Sequence, residues 1–494
     1  MRHSFKTLSI TYFGMLFGLV NTLWLYPLLL TETEIGLVRT LINASVLFTS
    51  FAALGSVHIP IKFFPYFKDF ENSHNGFLTF ILLLAFVGYL LFLVLFFFFR
   101  SSISNIYLQI APQLIEYLNY LPILTLFILF FSVFESYAIC NQESVIGNFL
   151  KEFILRFLMF IGLILIFFKI ISFFGFVNIV SISYAIILFI LIFYISNKNF
   201  LFIKSPKAIF KNKRLKEMLT FGGFILMANA SGSIMMNIDG LMLSAYEGLR
   251  STGIYTIAYF IANIIEVPRR SLSQAVIPFI STANKEKDFG KLNLIYKSSS
   301  INQLIVGGLI FVLIWCNIDN LFQLIPNGEI YKEGKWVVFL LGIGKLFDLA
   351  TGVNAEIVGT SKYYKFDLIF VVLLGIIGVG TNLYFIPIYG INGAAIATAL
   401  SIFLVNTLRF AFIFIFLKLQ PFTKHILTII FMIVITIYIS GSIIKLNNSF
   451  LDIFFRSFCL LILYLLPLFL LKVSTEINQT IFSIYNRFIK LKSE

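Results

Sequence analysis

A small set of ionisable side chains falls within otherwise apolar stretches, and these are the residues through which the sequence can do chemistry: Arg39, Asp239, Glu266, Arg269, Arg270, Lys345, Asp348 and Arg409. On insertion scales such a charge costs about 2.5–3.5 kcal/mol at the centre of a membrane helix, so it must face a partner or a wet hollow. Lys345 and Asp348 stand three positions apart, and Glu266 stands three and four before Arg269 and Arg270; both are spacings of a local helical ion pair. The two arginines can equally snorkel to an interface. Arg409 has no acid within a turn, which leaves it a snorkelling or a cavity-lining cation. Asp239 is expected to pair with a cation such as Arg250 or to couple an ion, and Asp348 is the second ion-coupling candidate. Glu135 and Arg156, near the ends of their apolar runs, read as interfacial.

The sign of these charges is lopsided. No acid occurs between Leu8 and Leu30, and Arg and Lys are the more numerous deep charges. A hollow lined by Arg39, Arg269, Arg270, Lys345 and Arg409 would attract an anion, and the planar guanidinium fork suits a phosphate. No enzyme signature accompanies them. His3, His58, His74 and His425 form no metal-spaced pair, and no nucleophile elbow or phosphate loop is present. Cys140, Cys316 and Cys459 are scattered, which suggests neither a disulfide framework nor a metal site. No cofactor is expected.

The elements that must position these residues follow from composition. Hydrophobic residues make up 59% of the 494 and charged residues only 12%, and the mean hydropathy is +0.95. Apolar runs of about 20 residues recur, each long enough for a hydrocarbon core of about 30 Å. In lipid the backbone must satisfy itself, so the fold class is all-α: a polytopic membrane protein with about fourteen transmembrane helices. The expected spans are 8–30, 39–59, 77–99, 118–139, 153–172, 176–196, 218–245, 251–280, 299–317, 335–358, 366–386, 391–417, 424–444 and 452–472. Residues 100–117 read as a loop with a surface helix. Beyond Lys472, Ile477, Ile481, Ile484, Tyr485 and Phe488 suit a helix lying on the membrane.

With the N-terminus inside, 26 cations fall to the inner side and eight to the outer. That bias predicts both termini in the cytoplasm and explains the net charge of +14 without nucleic acid. Seven cations lie between Lys198 and Lys216 with no acid before Glu217, which marks a basic linker between two halves. A 217-residue offset places Gly36 on Gly253, with Pro60 one short of Pro278, a faint internal repeat. The expected organisation is an N-terminal six-helix lobe (1–197), a linker (198–217), a second six-helix lobe (218–417) and two further helices with an amphipathic tail (418–494).

Four stretches carry a resemblance. They are Leu215-Lys216-Glu217-Met218-Leu219-Thr220-Phe221-Gly222, Asn237-Ile238-Asp239-Gly240-Leu241-Met242-Leu243, Gly253-Ile254-Tyr255-Thr256-Ile257-Ala258-Tyr259 and Pro387-Ile388-Tyr389-Gly390-Ile391-Asn392-Gly393-Ala394-Ala395-Ile396-Ala397-Thr398. The sequence resembles the polysaccharide biosynthesis (Wzx-type oligosaccharide) flippases of the multidrug/oligosaccharidyl-lipid/polysaccharide exporter superfamily. The resemblance implies MATE-like lobes, a cationic cavity and movement of a polyprenyl-pyrophosphate-linked sugar between leaflets of a bacterial inner membrane. The product would be a surface polysaccharide of the O-antigen or lipopolysaccharide kind. It implies membrane lipids and glycan polymerase or ligase proteins as neighbours. A cation or drug antiporter of the same fold, needing an acid such as Asp239, and a non-transporting scaffold for glycan assembly are the alternatives. Separately, Gly390, Gly393 and Ala394-Ala395 read as a tight turn with close helix contact.

Overall fold

The computed structural model describes Gly14 and residues 16–476, 478 and 479, the side chains of Arg270 and Ser271 excepted. The opening of the first expected span and Ile481, Ile484, Tyr485 and Phe488 of the expected tail helix lie outside them, as does Ile477. The described residues are helical, with no strand among them. The principal helices are α1 (Leu16–Leu29), α2 (Glu32–Ala52), α3 (Phe77–Tyr107), α4 (Tyr120–Cys140), α5 (Leu155–Phe167), α6 (Phe173–Asn197), α7 (Leu215–Tyr246), α8 (Gly248–Asn263), α9 (Val267–Glu286), α10 (Phe289–Cys316), α11 (Lys335–Ala350), α12 (Asn354–Thr360), α13 (Tyr364–Leu417), α14 (Lys424–Ser440) and α15 (Ser449–Leu470). By length and apolarity alone, eight described helices can cross a membrane, or nine if the bent α11–α12 pair is one span. Over the described residues the expected spans are mainly helical, although 251–280 and 335–358 are each divided between two helices and 39–59 ends in turns after Ala52. The others fall short because they are brief (α1, α14), interrupted or polar. The 100–117 loop is different from expectation: α3 continues to Tyr107, and only Pro112–Glu116 forms a separate short helix.

The chain forms two compact units, Met1–Thr256 and Ile257–Glu494. In the first, α2 begins at a capping box: Thr31 Oγ1 accepts the Glu34 N–H at 3.3 Å, and the Glu34 carboxylate accepts the Thr31 N–H at 2.8 Å. Helix α2 packs on α4 and α7. Lipid is as apolar as leucine, so close approach and polar contacts must hold such helices together. Small residues supply the approach. A Cβ on Gly36 would lie 1.9 Å from the Leu249 carbonyl oxygen, and one on Gly253 would lie 1.9 Å from that of Glu32. The two contacts are mirror copies of one another under the 217-residue offset. The basic stretch and α7 both belong to this unit.

In the second unit, α9, α10, α12 and α13 enclose a core that includes Ile280, Leu292, Tyr296, Val353, Ile357 and Ile413. Helix α13 runs 54 residues, which as one rod would reach about 80 Å. It is instead a hairpin. Gly390 at φ 55°, ψ −130° breaks the helix, and Thr381 Oγ1 lies 3.1 Å from Ser401 Oγ. A Cβ on Gly393 would sit 2.0 Å from the Phe385 oxygen, so the turn requires glycine there as well. Helices α14 and α15 pack on α10, where the Tyr464 hydroxyl donates to the Ile305 carbonyl at 3.2 Å.

Candidate functional site

Two charge centres emerge, one in each unit, and they differ in how their cations are satisfied. In the first unit, Arg39 is half-buried on α2, close enough for its charge to act on the hydroxyls of Tyr26 and Tyr184. Arg39 makes no ion pair among the described residues. Arg156 also acts on Tyr184 and is held by Glu152 at 2.7 Å, one turn earlier. Asn21, buried on α1, donates to the Arg156 carbonyl at 2.9 Å. The backbone is irregular on both sides of this group: Val20–Leu25 and Leu150–Ile154 are π-helical. Such widened turns are rare and collect at functional sites, because they redirect carbonyls and side chains. Arg156, expected at an interface, is thus a member of this group together with Asn21, Tyr26, Glu152 and Tyr184. No sequence spacing signals a π-turn, so these partners are not legible in the sequence.

Asp239 is buried on α7 and accepts the Tyr255 hydroxyl at 2.7 Å, while Arg250 lies 3.4 Å from Glu32. Asn43 of α2 packs against Gly240, where a Cβ would come within 2.7 Å of its amide nitrogen.

In the second unit the cations are locked. Lys345 Nζ donates to Asn263 Oδ1 at 2.7 Å and to Glu266 at 2.8 Å, and lies 6.0 Å from the centre of the Tyr259 ring. Arg269 pairs with Asp348, whose other oxygen accepts the Asn406 amide at 2.8 Å. Asn406 in turn accepts from Asn354 at 2.8 Å. Arg409 pairs with Asp367 at 3.0 Å across the α13 hairpin. The local Lys345–Asp348 pair is therefore not made. Each residue finds a partner on another helix instead, because Glu266 and Arg269 cross directly over α11. Arg409 is likewise no snorkelling cation: the fold supplies the acid its own turn lacks. The three described cations, Arg269, Lys345 and Arg409, each meet a carboxylate, so this centre offers little free positive charge. Arg270 belongs to the same stretch, and its side chain lies outside the described residues.

The family model described as polysaccharide biosynthesis protein matches residues 1–284, and one described as MatE matches residues 225–386. An uncharacterized membrane protein of Methanocaldococcus jannaschii, MJ1068, is 25% identical over 331 residues, and the match spans 62% of each protein. Among solved structures, the lipid II flippase MurJ in an inward closed conformation superposes with a TM-score of 0.71 at 16% identity, covering 94% of this chain and 99% of that one. A multidrug resistance MATE family transporter of the MOP superfamily, inward-facing, superposes at 0.63 with 14% identity, covering 83% and 96%. At these identities the two structures establish a shared polytopic helical fold.

Proposed function

Because the chain belongs to the polysaccharide biosynthesis protein family, we propose that it flips a polyprenyl-pyrophosphate-linked oligosaccharide from the inner to the outer leaflet for surface polysaccharide assembly. The observation that carries this reading is Arg39, a half-buried guanidinium with no ion pair among the described residues, whose charge, like that of Arg156, reaches Tyr184. A partly buried cation without a counter-ion gains when a ligand supplies the charge. Phosphate does so through charge-assisted, often bidentate bonds. Tyr26 and Tyr184 add hydroxyl donors for the remaining oxygens. In this reading Arg39 and Arg156 hold the pyrophosphate while the prenyl chain stays in lipid, and the centre is exposed to one side of the membrane and then the other. Arg269, Lys345 and Arg409 form a separate centre in the second unit, which would accept an anion only if that anion displaced their carboxylates. The asymmetry of 26 inner to eight outer cations supports cytoplasmic termini in a bacterial inner membrane, with glycan polymerase or ligase proteins as neighbours.

The test is flipping of a fluorescent polyprenyl-pyrophosphate saccharide in vesicles containing the purified chain. Arg39→Gln is expected to slow it about 10- to 100-fold, the worth of one or two charged hydrogen bonds, and Arg39→Lys by less. Absence of flipping by the parent chain overturns the proposal, and undiminished flipping by Arg39→Gln removes Arg39 from the binding site.

One observation favours a second reading. Asp239 is a buried acid within the stretch that matches the MatE model, which is what an ion-coupled antiporter of drugs or cations requires; Asp348 would serve the same end. Drug efflux abolished by Asp239→Asn, with saccharide flipping absent in the parent chain, would establish that reading. Absence of both activities would leave the scaffold role.

A further inference from the structure

We propose that the basic stretch 198–216 is a rigid strap that binds the headgroups of anionic phospholipids at the ends of α3 and α7. The first observation is that it is pinned to its own unit. The Phe200 carbonyl accepts the Tyr137 hydroxyl at 3.0 Å, the Lys204 N–H donates to Thr79 Oγ1 at 3.2 Å, and Ile209 is fully buried. Phe202 packs edge-on to His74, whose ring also meets Phe64 and Phe70. Gly76, at φ 77°, lets the strap pass so near that a Cβ would fall 2.7 Å from the Ser205 oxygen.

The second observation is what the pinned strap leaves outward. Lys207, Lys211, Lys213 and Lys216 are exposed and none has an ion pair among the described residues. Arg214 stacks on the Tyr66 ring at 4.0 Å and lies 3.9 Å from Glu217. The acids nearby are few: Glu143, which pairs with Lys198 at 3.4 Å at the start of the strap, Glu217, Glu71, and Asp69, whose carboxyl the Asn72 amide holds below its usual range. Among these lysines Ile203 is 73% and Phe210 55% exposed. Exposed apolar side chains interleaved with lysines are poorly matched to water. They suit a boundary where hydrocarbon and phosphate alternate.

Position selects the occupant. The strap runs directly into α7 and packs on the first turns of α3, both helices long and apolar enough to span. Its lysines therefore lie at the depth where headgroups begin. A flexible polybasic tail would lose ordering entropy on binding, but a strap already fixed loses little.

The experiment measures lipid preference of the full chain in phosphatidylcholine vesicles carrying spin-labelled phosphatidylglycerol or phosphatidylcholine. The motionally restricted fraction should favour phosphatidylglycerol, and the preference should fall in high salt. In the triple variant K207Q/K211Q/K213Q it should drop, by up to about fivefold per lysine, while K207R/K211R/K213R should retain it. Equal preference in the parent and the Gln variant overturns the proposal. Displacement of the labelled phosphatidylglycerol by millimolar inorganic phosphate or pyrophosphate overturns it too, since that would make the strap a site for free phosphate. Neither outcome depends on what the protein transports.

Discussion

At the scale of single residues, the second unit pairs its charges between helices, Lys345 with Glu266 and Arg269 with Asp348. Lys345 and Glu266 are 79 positions apart, as are Arg269 and Asp348. Helical spacing alone offers Asp348 to Lys345, and only the packing of the Ile264–Glu266 turn, just before α9, on α11 shows the exchange. The Arg269–Asp348 pair supplies a sharp test. Both side chains are mostly buried, at 17% and 12% exposure. Removing one partner strands a buried charge, at a cost of about 3–5 kcal/mol, whereas removing both spares that penalty. Thermal denaturation in detergent should show Arg269→Ala strongly destabilised and Arg269→Ala/Asp348→Ala restored most of the way. Comparable instability of both variants would mean the pair does not behave as a pair. In the first unit the guanidinium of Arg39 was legible from its place at the start of an apolar run. Its companions were not, because Asn21, Tyr26 and Tyr184 are ordinary constituents of membrane helices until π-turns bring them together.

At the level of elements, hydropathy located the helices well because lipid leaves the backbone no other solution. Where it misplaced an edge, as in α3 running on to Tyr107, the cause was Arg100 and the serines beyond it, which read as loop yet are tolerated in a helix past the membrane surface. The glycine turn at 390 was readable for a different reason: its backbone lies where a side chain is strained. Gly390→Ala should cost about 1–3 kcal/mol, detectable as a lowered denaturation midpoint. Gly36→Ala and Gly253→Ala should be harmful to similar extents, since each would place a methyl against a carbonyl from the equivalent position of the other repeat. An effect confined to one of the two would argue that the offset match is coincidence.

For the molecule as a whole, which elements pack together is less legible in sequence than where the helices lie. The run of cations after Lys198 looks like a tether between halves, because charge and low hydropathy are what tethers share. The fold places that run, and α7 after it, within Met1–Thr256. What decides membership is packing: α7 lies along α2, through contacts such as Asn43 on Gly240, and no local composition reports a neighbour some 200 residues away in the chain.

A stretch so firmly fastened carries no slack, so its covalent continuity contributes little. The protein should tolerate being encoded as two polypeptides, 1–212 and 213–494. Made together, the pieces are expected to co-purify through a tag on either one, since α7 still finds α2 without the peptide bond between Asn212 and Lys213. Pieces that purify separately would show that the join itself holds the architecture together.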